Sequence, residues 1–153
     1  MKEYKSYSKT FSIVPHHTDV KKAKISSSKD INQYVRQFWT DMEVLESFFI
    51  VMLNNSNNTT GWVKISQGGI TGTLVDVRIL AKYALDCLAV SVILAHNHPS
   101  GTLKASAADK EITQKVKIGL ATLDIRVLDH LIVIPEANNF GQDYYSFADE
   151  NIL

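Results

Sequence analysis

The sequence has almost no cysteine, since Cys87 is the single one among 153 residues. One cysteine excludes an internal disulfide and is typical of proteins in a reducing compartment. The first residues lack the apolar core of a signal peptide, and no apolar run approaches the length that spans a bilayer. These absences predict a cytoplasmic protein that does not enter a membrane.

The chain also has no excess of positive or negative charge, because 16 lysine and arginine residues balance 16 aspartate and glutamate residues. A neutral chain without a Lys/Arg block has no electrostatic footprint for nonspecific nucleic-acid binding. Only binding through a local basic patch is still compatible with this composition. The hydrophobic share of 45% and the charged share of 21% are ordinary for a globular protein. The length fits one domain, or one domain with a short extension.

Helix-like and strand-like patterns alternate after residue 30. Apolar residues recur at helical spacing over three segments, 31–39, 77–89 and 106–123. Strand-like runs occupy four others, at residues 47–53, 61–66, 90–95 and 125–134. The first and third of these runs are apolar on both faces, as central strands are. We therefore expect an α/β fold with a mixed β-sheet flanked by helices on both faces.

The two longer helical stripes predict which residues face the core. In the second helix the stripe consists of Val77, Leu80, Ala81, Ala84, Leu85 and Leu88. In the third helix it consists of Ile112, Val116, Leu120 and Leu123. The polar tail after residue 138 has three aromatic residues that we expect to anchor it by packing, namely Tyr144, Tyr145 and Phe147.

The N-terminal segment predicts an extension rather than a site. Residues 5–14 alternate polar and apolar side chains like a half-buried strand. We expect residues 1–25 to form an extension packed on a domain of residues 26–153. His16 and His17 follow this strand, but adjacent residues point to opposite faces and no carboxylate partner is nearby. They are interpreted as exposed loop histidines.

Two further candidates also have simpler interpretations. The glycine-containing loop at residues 68–73 lacks both the Gly-Lys-Ser/Thr ending and the dinucleotide-binding spacing, so phosphate binding is disfavoured. Cys87 lies in a helical pattern without a residue that would stabilise a thiolate, so we expect a small buried hydrophobe rather than a nucleophile.

Most of the chemistry lies in the 14 residues from His96 to Asp109. His96 and His98 close an apolar run, and an extended backbone directs both imidazoles to one face. A Pro-Ser-Gly turn follows, and Ser106-x-x-Asp109 then opens a helix. That last pattern alone is a helix capping box. Two imidazoles and one carboxylate together form the three-ligand set of a catalytic zinc site with one position open to water, which favours a metal site.

The same residues resemble the JAMM motif of MPN-type metalloproteases: His96-x-His98, seven residues, Ser106-x-x-Asp109, and a glutamate far upstream. The run from His96 to Gly101, with Leu128-Asp129-His130 further on, resembles the RadC branch of that family. The resemblance covers about residues 26 to 150 and implies a JAB/MPN domain with a cytidine-deaminase-like architecture. Because the N-terminal helical region of full-length RadC proteins is missing, the chain resembles a short, isolated-domain form.

The resemblance implies a zinc-dependent hydrolase (Zn²⁺) that cleaves a peptide, isopeptide or related amide bond in a peptide or protein substrate. The zinc ligands would be His96, His98 and Asp109. Glu46 directly precedes a strand, as the family's glutamate does, and would be the general base that assists the metal-activated water. Glu43 is the competing position. Ser106 would donate a hydrogen bond to the oxyanion while it also caps the helix.

For several residues near the motif, the sequence makes less specific predictions. Ala105 stands where RadC-like sequences often carry proline, which predicts a more mobile loop with no ligand lost. The roles of Asn97 and Ser100 stay open between orienting substrate or ligands and forming the turn. His130 is expected to be buried and hydrogen-bonded, in support of a ligand, rather than a fourth ligand.

The alternative function is that of a RadC-type accessory protein of DNA repair or mobile elements, which would act by binding nucleic acid or protein. The neutral charge and the absence of a basic-aromatic stripe disfavour direct DNA binding. A complete set of metal ligands and base favours hydrolysis, since a binding module requires neither. Nothing in the sequence selects a particular substrate or oligomeric state.

Overall fold

The computed structural model describes residues 19–68 and 75–153. Within these two ranges the helices are α1 (Ser28–Val35), α2 (Val77–Asp86) and α3 (Ala107–Ala121). The strands are β1 (Ser47–Leu53), β2 (Thr59–Gln67), β3 (Ser91–Asn97), β4 (Arg126–Val133) and β5 (Tyr144–Ser146). The expected strand at residues 5–14, His16, His17 and most of the glycine-containing loop lie outside the described residues. No described helix has the length and apolarity needed to cross a bilayer.

The strands form one mixed sheet in the order β2-β1-β3-β4-β5. Strands β3 and β4 are parallel and are joined by the crossover helix α3, whereas the other neighbours are antiparallel. This arrangement confirms the expected α/β fold with a mixed sheet. The carboxyl end of β3 therefore lies beside the carboxyl end of β4 and close to the start of α3.

Helices cover both faces of the sheet, as expected. Helix α1 packs on one face against β1, β3 and β4, and Ser27 caps its first turn through a hydrogen bond from the backbone N–H of Asp30. Helices α2 and α3 pack together on the other face. Every residue of β1 and of β3 is buried, because each of these central strands has a helix layer on both sides.

The predicted helical stripes are too long at their carboxyl ends. Helix α2 stops at Asp86, and Leu88, with a φ of +51°, is 85% exposed. Leu85 is also exposed although it lies within the helix. In the same way, Leu123 follows the last residue of α3 and is exposed, whereas Val116 and Leu120 are buried as predicted. Leu88 and Leu123 match the helical spacing of apolar residues, but each lies beyond the last residue of its helix.

The aromatic residues of the C-terminal tail form a strand that the sequence pattern did not predict. Tyr144 and Tyr145 lie in β5, which pairs with the last residues of β4. Phe147 follows directly and is fully buried against Ile132, so its expected role as a packing anchor is confirmed. The other two anchors, Tyr144 and Tyr145, are partly buried against the adjacent clusters.

Candidate metal centre

The candidate site lies at the carboxyl end of β3, where parallel sheets commonly place their ligands. His96 is buried in β3, opposite Phe48 of β1 and Ile132 of β4. His98 is one residue beyond the strand and is fixed by its backbone N–H, which donates to the carbonyl of Val133 at 3.0 Å. The first turn of α3 then brings Asp109 over this edge.

The structure brings the three expected ligands together. The Nε2 atoms of His96 and His98 are 3.0 Å apart. The carboxylate of Asp109 places Oδ1 at 3.2 Å from His96 Nε2 and Oδ2 at 3.7 Å from His98 Nε2. One ligand atom from each residue can be chosen so that all lie within 4.8 Å of one another. This His-His-Asp group is thus positioned to hold a metal ion.

The hydrogen bond of His98 fixes which nitrogen faces the site. Its Nδ1 lies 2.7 Å from the carbonyl oxygen of Thr102. Because a carbonyl only accepts, Nδ1 must carry the proton. In the neutral ring, Nε2 then keeps its lone pair and faces Asp109, as a metal ligand must.

The chemistry of the donor set fits a cation. Two ring nitrogens and a carboxylate converge, and acceptor atoms at such distances require a positive charge between them. A metal ion bound there would supply this charge. Two histidines and one carboxylate are a common three-ligand set for catalytic zinc.

Asp109 also belongs to the helix cap. Its Oδ2 accepts the backbone N–H of Ser106 at 2.7 Å, and its own N–H donates to Ser106 Oγ at 3.1 Å. Burial would raise the pKa of Asp109, but hydrogen bonds from His96 and Ser106 hold that pKa well below its ordinary value. The carboxyl group is therefore ionised, which suits both the cap and a cation. Since Ser106 Oγ serves as acceptor, its exposed hydroxyl keeps a proton to donate.

Asn97, between the two histidines, points away from the site and is fully buried. Its Nδ2 donates to the carbonyls of Met42 at 2.6 Å and Leu45 at 2.9 Å, while its Oδ1 accepts the N–H of Ser47 at 2.7 Å. These bonds hold the backbone on both sides of Glu46. The role of Asn97 is thus to tie this segment to the histidine strand, and not to contact substrate.

Strand register relates Glu46 to the histidines. Phe48 of β1 pairs with His96 of β3, and the two rings stack with centroids 6.1 Å apart. Glu46 directly precedes β1 and His98 directly follows β3, and because these two strands are antiparallel, both residues lie at the same end of the strand pair. Glu46 is half-buried, and its carbonyl accepts the backbone N–H of Gly68 at 2.9 Å.

Glu43, the competing glutamate, lies in the exposed turn before β1. It lines an open pocket with Pro99, Ser100 and Gly101 of the turn after the histidines, together with residues 135 and 136. Ser100 donates to Thr102 Oγ1 at 3.2 Å, and Gly101 has a φ of +77° that favours glycine. Ser100 therefore contributes to the turn.

The remaining candidates have structural roles. Ala105, in place of proline, is buried near Ile132 and Phe147, while the greater mobility of its loop stays a prediction. Cys87 is half-buried, and burial raises the pKa of its thiol, which disfavours a nucleophile. His130 is buried and hydrogen-bonded, as expected, with its Nε2 2.8 Å from His96 Nδ1.

Sequence reasoning missed Thr113. Its Oγ1 lies 2.6 Å from His130 Nδ1 and donates to the carbonyl of Asp109. The sequence pattern could have indicated it, because Thr113 lies on the buried stripe of α3 one turn after the candidate ligand Asp109. Polar residues on such a stripe are expected to have partners.

Comparisons with known proteins show to which family the chain is similar. A family model described as "RadC-like JAB domain" matches residues 25–152. A UPF0758 protein of Flavobacterium johnsoniae is 44% identical over 134 residues, which are 88% of this chain and 56% of that protein. A UPF0758 protein of Porphyromonas gingivalis is 35% identical over 142 residues, 92% of this chain and 59% of that protein.

UPF0758 protein YfjY of Escherichia coli is 44% identical over 108 residues, which are 71% of this chain and 64% of that protein. The chain thus spans little more than half the length of most curated relatives it matches, and their printed names assign no activity. The family model, by contrast, covers nearly all of the residues that build the sheet and the site. The chain belongs to the RadC-like JAB domain family.

Proposed function

We propose that this chain is a zinc-dependent hydrolase that cleaves a peptide, isopeptide or related amide bond in a peptide or protein substrate. The observation that carries the proposal is the convergence of His96 Nε2, His98 Nε2 and the Asp109 carboxylate at one point. The hydrogen bond from His98 Nδ1 to Thr102 supports the proposal, because it leaves His98 Nε2 free to bind the metal.

His96, His98 and Asp109 hold the zinc ion in this proposal. When bound, zinc acidifies a water molecule and polarises the substrate carbonyl. The ionised state of Asp109 favours this role, since a ligand carboxyl must be deprotonated. The capping bonds between Asp109 and Ser106 hold the carboxylate in place before the metal binds, which lowers the entropic cost of binding.

Glu46 is the general base. It accepts a proton from the attacking water and returns the proton to the leaving amine. The strand register and the hydrogen bonds of Asn97 with Leu45 and Ser47 support Glu46 over Glu43, because they hold its backbone at the end of the strand pair where the histidines lie. Glu43 lies instead in an exposed turn.

Ser106 donates a hydrogen bond to the oxyanion that forms when water attacks the carbonyl. Its Oγ accepts the backbone N–H of Asp109, and a hydroxyl that accepts one hydrogen bond can donate another. Loss of such a donor typically lowers kcat by about 10²–10³-fold.

The test combines metal content with hydrolysis. Elemental analysis of the purified full chain should find about one zinc per molecule, as expected for a site with three protein ligands. His98→Ala should lose it. The wild type and Glu46→Gln are then incubated with a peptide library, and the cleavage products are identified by mass spectrometry. Glu46→Gln should keep zinc and show no cleavage, while Glu43→Gln, the matched control, should retain cleavage.

Four results would overturn parts of this proposal. Native protein without zinc, or full zinc occupancy in His98→Ala, would refute the metal site. Loss of zinc from Glu46→Gln would make Glu46 a structural residue or a ligand, and cleavage abolished only in Glu43→Gln would assign the base to Glu43.

A further inference from the structure

Behind the candidate ligands, buried polar groups connect β3, β4 and α3. His130 of β4 is fully buried between its contacts with His96 and Thr113. The ring of His130 also stacks on Phe147 with centroids 4.7 Å apart and lies at the edge of Phe48 with centroids 5.4 Å apart. Polar groups in such apolar surroundings are costly unless each proton and lone pair has a partner.

The proton positions follow by elimination. Thr113 Oγ1 donates its one proton to the carbonyl of Asp109, because a carbonyl can only accept. Thr113 must then accept from His130, so Nδ1 of His130 carries a proton. His130 is fully buried between Phe48 and Phe147, and among the described residues neither of its ring nitrogens contacts a carboxylate that would balance a positive charge, so its ring is neutral.

A neutral His130 with a protonated Nδ1 has a lone pair on Nε2. That lone pair accepts from Nδ1 of His96 at 2.8 Å. His96 therefore has its Nδ1 proton pointing away from the site and its Nε2 directed at Asp109 and His98. A chain of three hydrogen bonds thus runs from His96 through His130 and Thr113 to the backbone of Asp109, itself a candidate ligand.

We propose that His130 and Thr113 are positioning residues that hold His96 in the tautomer and ring orientation needed to bind zinc, and that couple this ligand to the start of α3. The inference rests on the proposed zinc site. Neither residue contacts the metal in this account. Their effect is on affinity, because a ligand already oriented loses less conformational freedom on binding.

The test measures zinc affinity by competition with a chromophoric chelator in the full chain. Thr113→Val keeps the shape and removes the hydroxyl, and His130→Phe keeps an aromatic ring beside Phe147 and Phe48. Each should weaken zinc binding by about 10–100-fold, the usual cost of removing a partner of a metal ligand. Thr113→Ser keeps the hydroxyl and should retain the affinity of the wild type.

A matched control separates positioning from stability. Thr59 is also a buried threonine, and its Oγ1 accepts the backbone N–H of Ala23 at 2.9 Å. It pairs with Leu53, which in turn pairs with Ser91 at the far end of β3 from the site. Thr59→Val should lower the melting temperature of the metal-free protein without weakening zinc binding.

Two further measurements test the shared mechanism. The double variant His130→Phe/Thr113→Val should bind zinc no more weakly than His130→Phe, because both changes interrupt one chain of hydrogen bonds. The visible spectrum of the cobalt-substituted protein should change in Thr113→Val and be restored in Thr113→Ser. Cobalt reports the geometry of its ligands directly, so a uniform loss of stability would leave this spectrum unchanged.

The failures of the two proposals are distinguishable. If the wild type binds no zinc, the proposed zinc site is wrong, and the positioning role falls with it. If the wild type binds zinc and Thr113→Val and His130→Phe bind it equally well, the zinc site stands and the positioning role is refuted. Equal weakening in Thr59→Val, or additive losses in the double variant, would also contradict positioning.

Discussion

At the scale of single residues, Asn97 shows how one side chain connects two parts of the candidate site. Its neighbours His96 and His98 face the metal position, and Asn97 faces the segment that carries Glu46. Alternation along an extended backbone produces this division, since successive side chains point to opposite faces. Three consecutive residues at the end of β3 thus supply two candidate ligands and the hydrogen bonds that hold the segment of the proposed base.

We predict that Asn97→Ala lowers turnover more than zinc content. The change leaves two buried carbonyls and one N–H without partners, which costs about 1–3 kcal/mol for each unsatisfied group that water cannot reach. His96 stays on β3 and His98 keeps its backbone hydrogen bond to Val133, so zinc is retained, while the segment that carries Glu46 loses its hydrogen bonds to Asn97. Urea unfolding, elemental analysis and the cleavage assay measure the three effects.

Ser100→Ala is the comparison for this prediction, because Ser100 is an exposed turn residue beside the same ligands. Its stability should change by less than about 0.5 kcal/mol, as is usual for surface positions. Full turnover in Asn97→Ala would show that the ties do not position the base.

At the scale of elements, α3 carries Asp109 and must therefore sit at a defined distance from the sheet and from α2. Gly119 of α3 lies close to Val77 of α2. A Cβ atom added at Gly119 would lie only 2.9 Å from Cγ1 of Val77. Valine is stiff at χ1, so it has little freedom to move away.

We predict that Gly119→Ala destabilises the fold. Overpacking against Val77 typically costs about 1–3 kcal/mol, which exceeds the gain of about 1 kcal/mol in helix propensity. In a Val77→Ala background the clash is gone, and Gly119→Ala should then raise stability. Thermal unfolding of the four proteins measures this reversal of sign, and a stabilising effect in both backgrounds would contradict the close approach.

The elements differed in how far their sequence pattern predicted them. Strands β1 and β3 were apparent because each contains an unbroken apolar run, residues 48–53 and 92–95, that can be buried on both faces. Strand β5 was missed because three residues are too few to show a period, and it is defined only by pairing with β4. The ends of α2 and α3 were placed too late, since Leu88 and Leu123 match the helical spacing but lie beyond the last turn.

The candidate site was predictable to the extent that it is local. His96, His98, Ser106 and Asp109 lie within 14 residues, so spacing alone indicated their convergence. Thr113 and the ties of Asn97 were not predictable, because they depend on contacts between elements that are distant in sequence. The register between β1 and β3, which places the start of β1 beside the histidine end of β3, is likewise a property of the folded sheet.

At the scale of the whole molecule, a metal held by β3 and α3 would link the sheet to the helix layer. We predict that EDTA lowers the melting temperature of the wild type and leaves that of His98→Ala unchanged. At a zinc concentration about 1,000 times the Kd the stabilisation is about 4.1 kcal/mol, which corresponds to a shift of about 10 °C for a chain of this size. Calorimetry measures it, and equal melting temperatures with and without EDTA would contradict the link.

The balanced charge of the chain leads to a second prediction at this scale. With no net charge at pH 7, the molecule lacks the attraction to phosphates that supplies nonspecific DNA binding. Fluorescence anisotropy with a labelled duplex at about 50 mM salt should detect no binding tighter than about 10⁻⁴ M, the weak end of nonspecific affinities. Micromolar binding that weakens with salt would favour the role in nucleic-acid binding.

We propose above that one zinc ion joins His96, His98 and Asp109 beside Glu46. A crystal structure of the zinc-loaded protein, with anomalous data collected at the zinc edge, is the decisive measurement. We expect one strong peak within about 2.0–2.2 Å of both Nε2 atoms and of a carboxylate oxygen, with the Glu46 carboxylate in hydrogen-bond reach of a water on the metal. No peak at that point, or a Glu46 side chain directed away from it, would refute the zinc site or the role of Glu46, respectively.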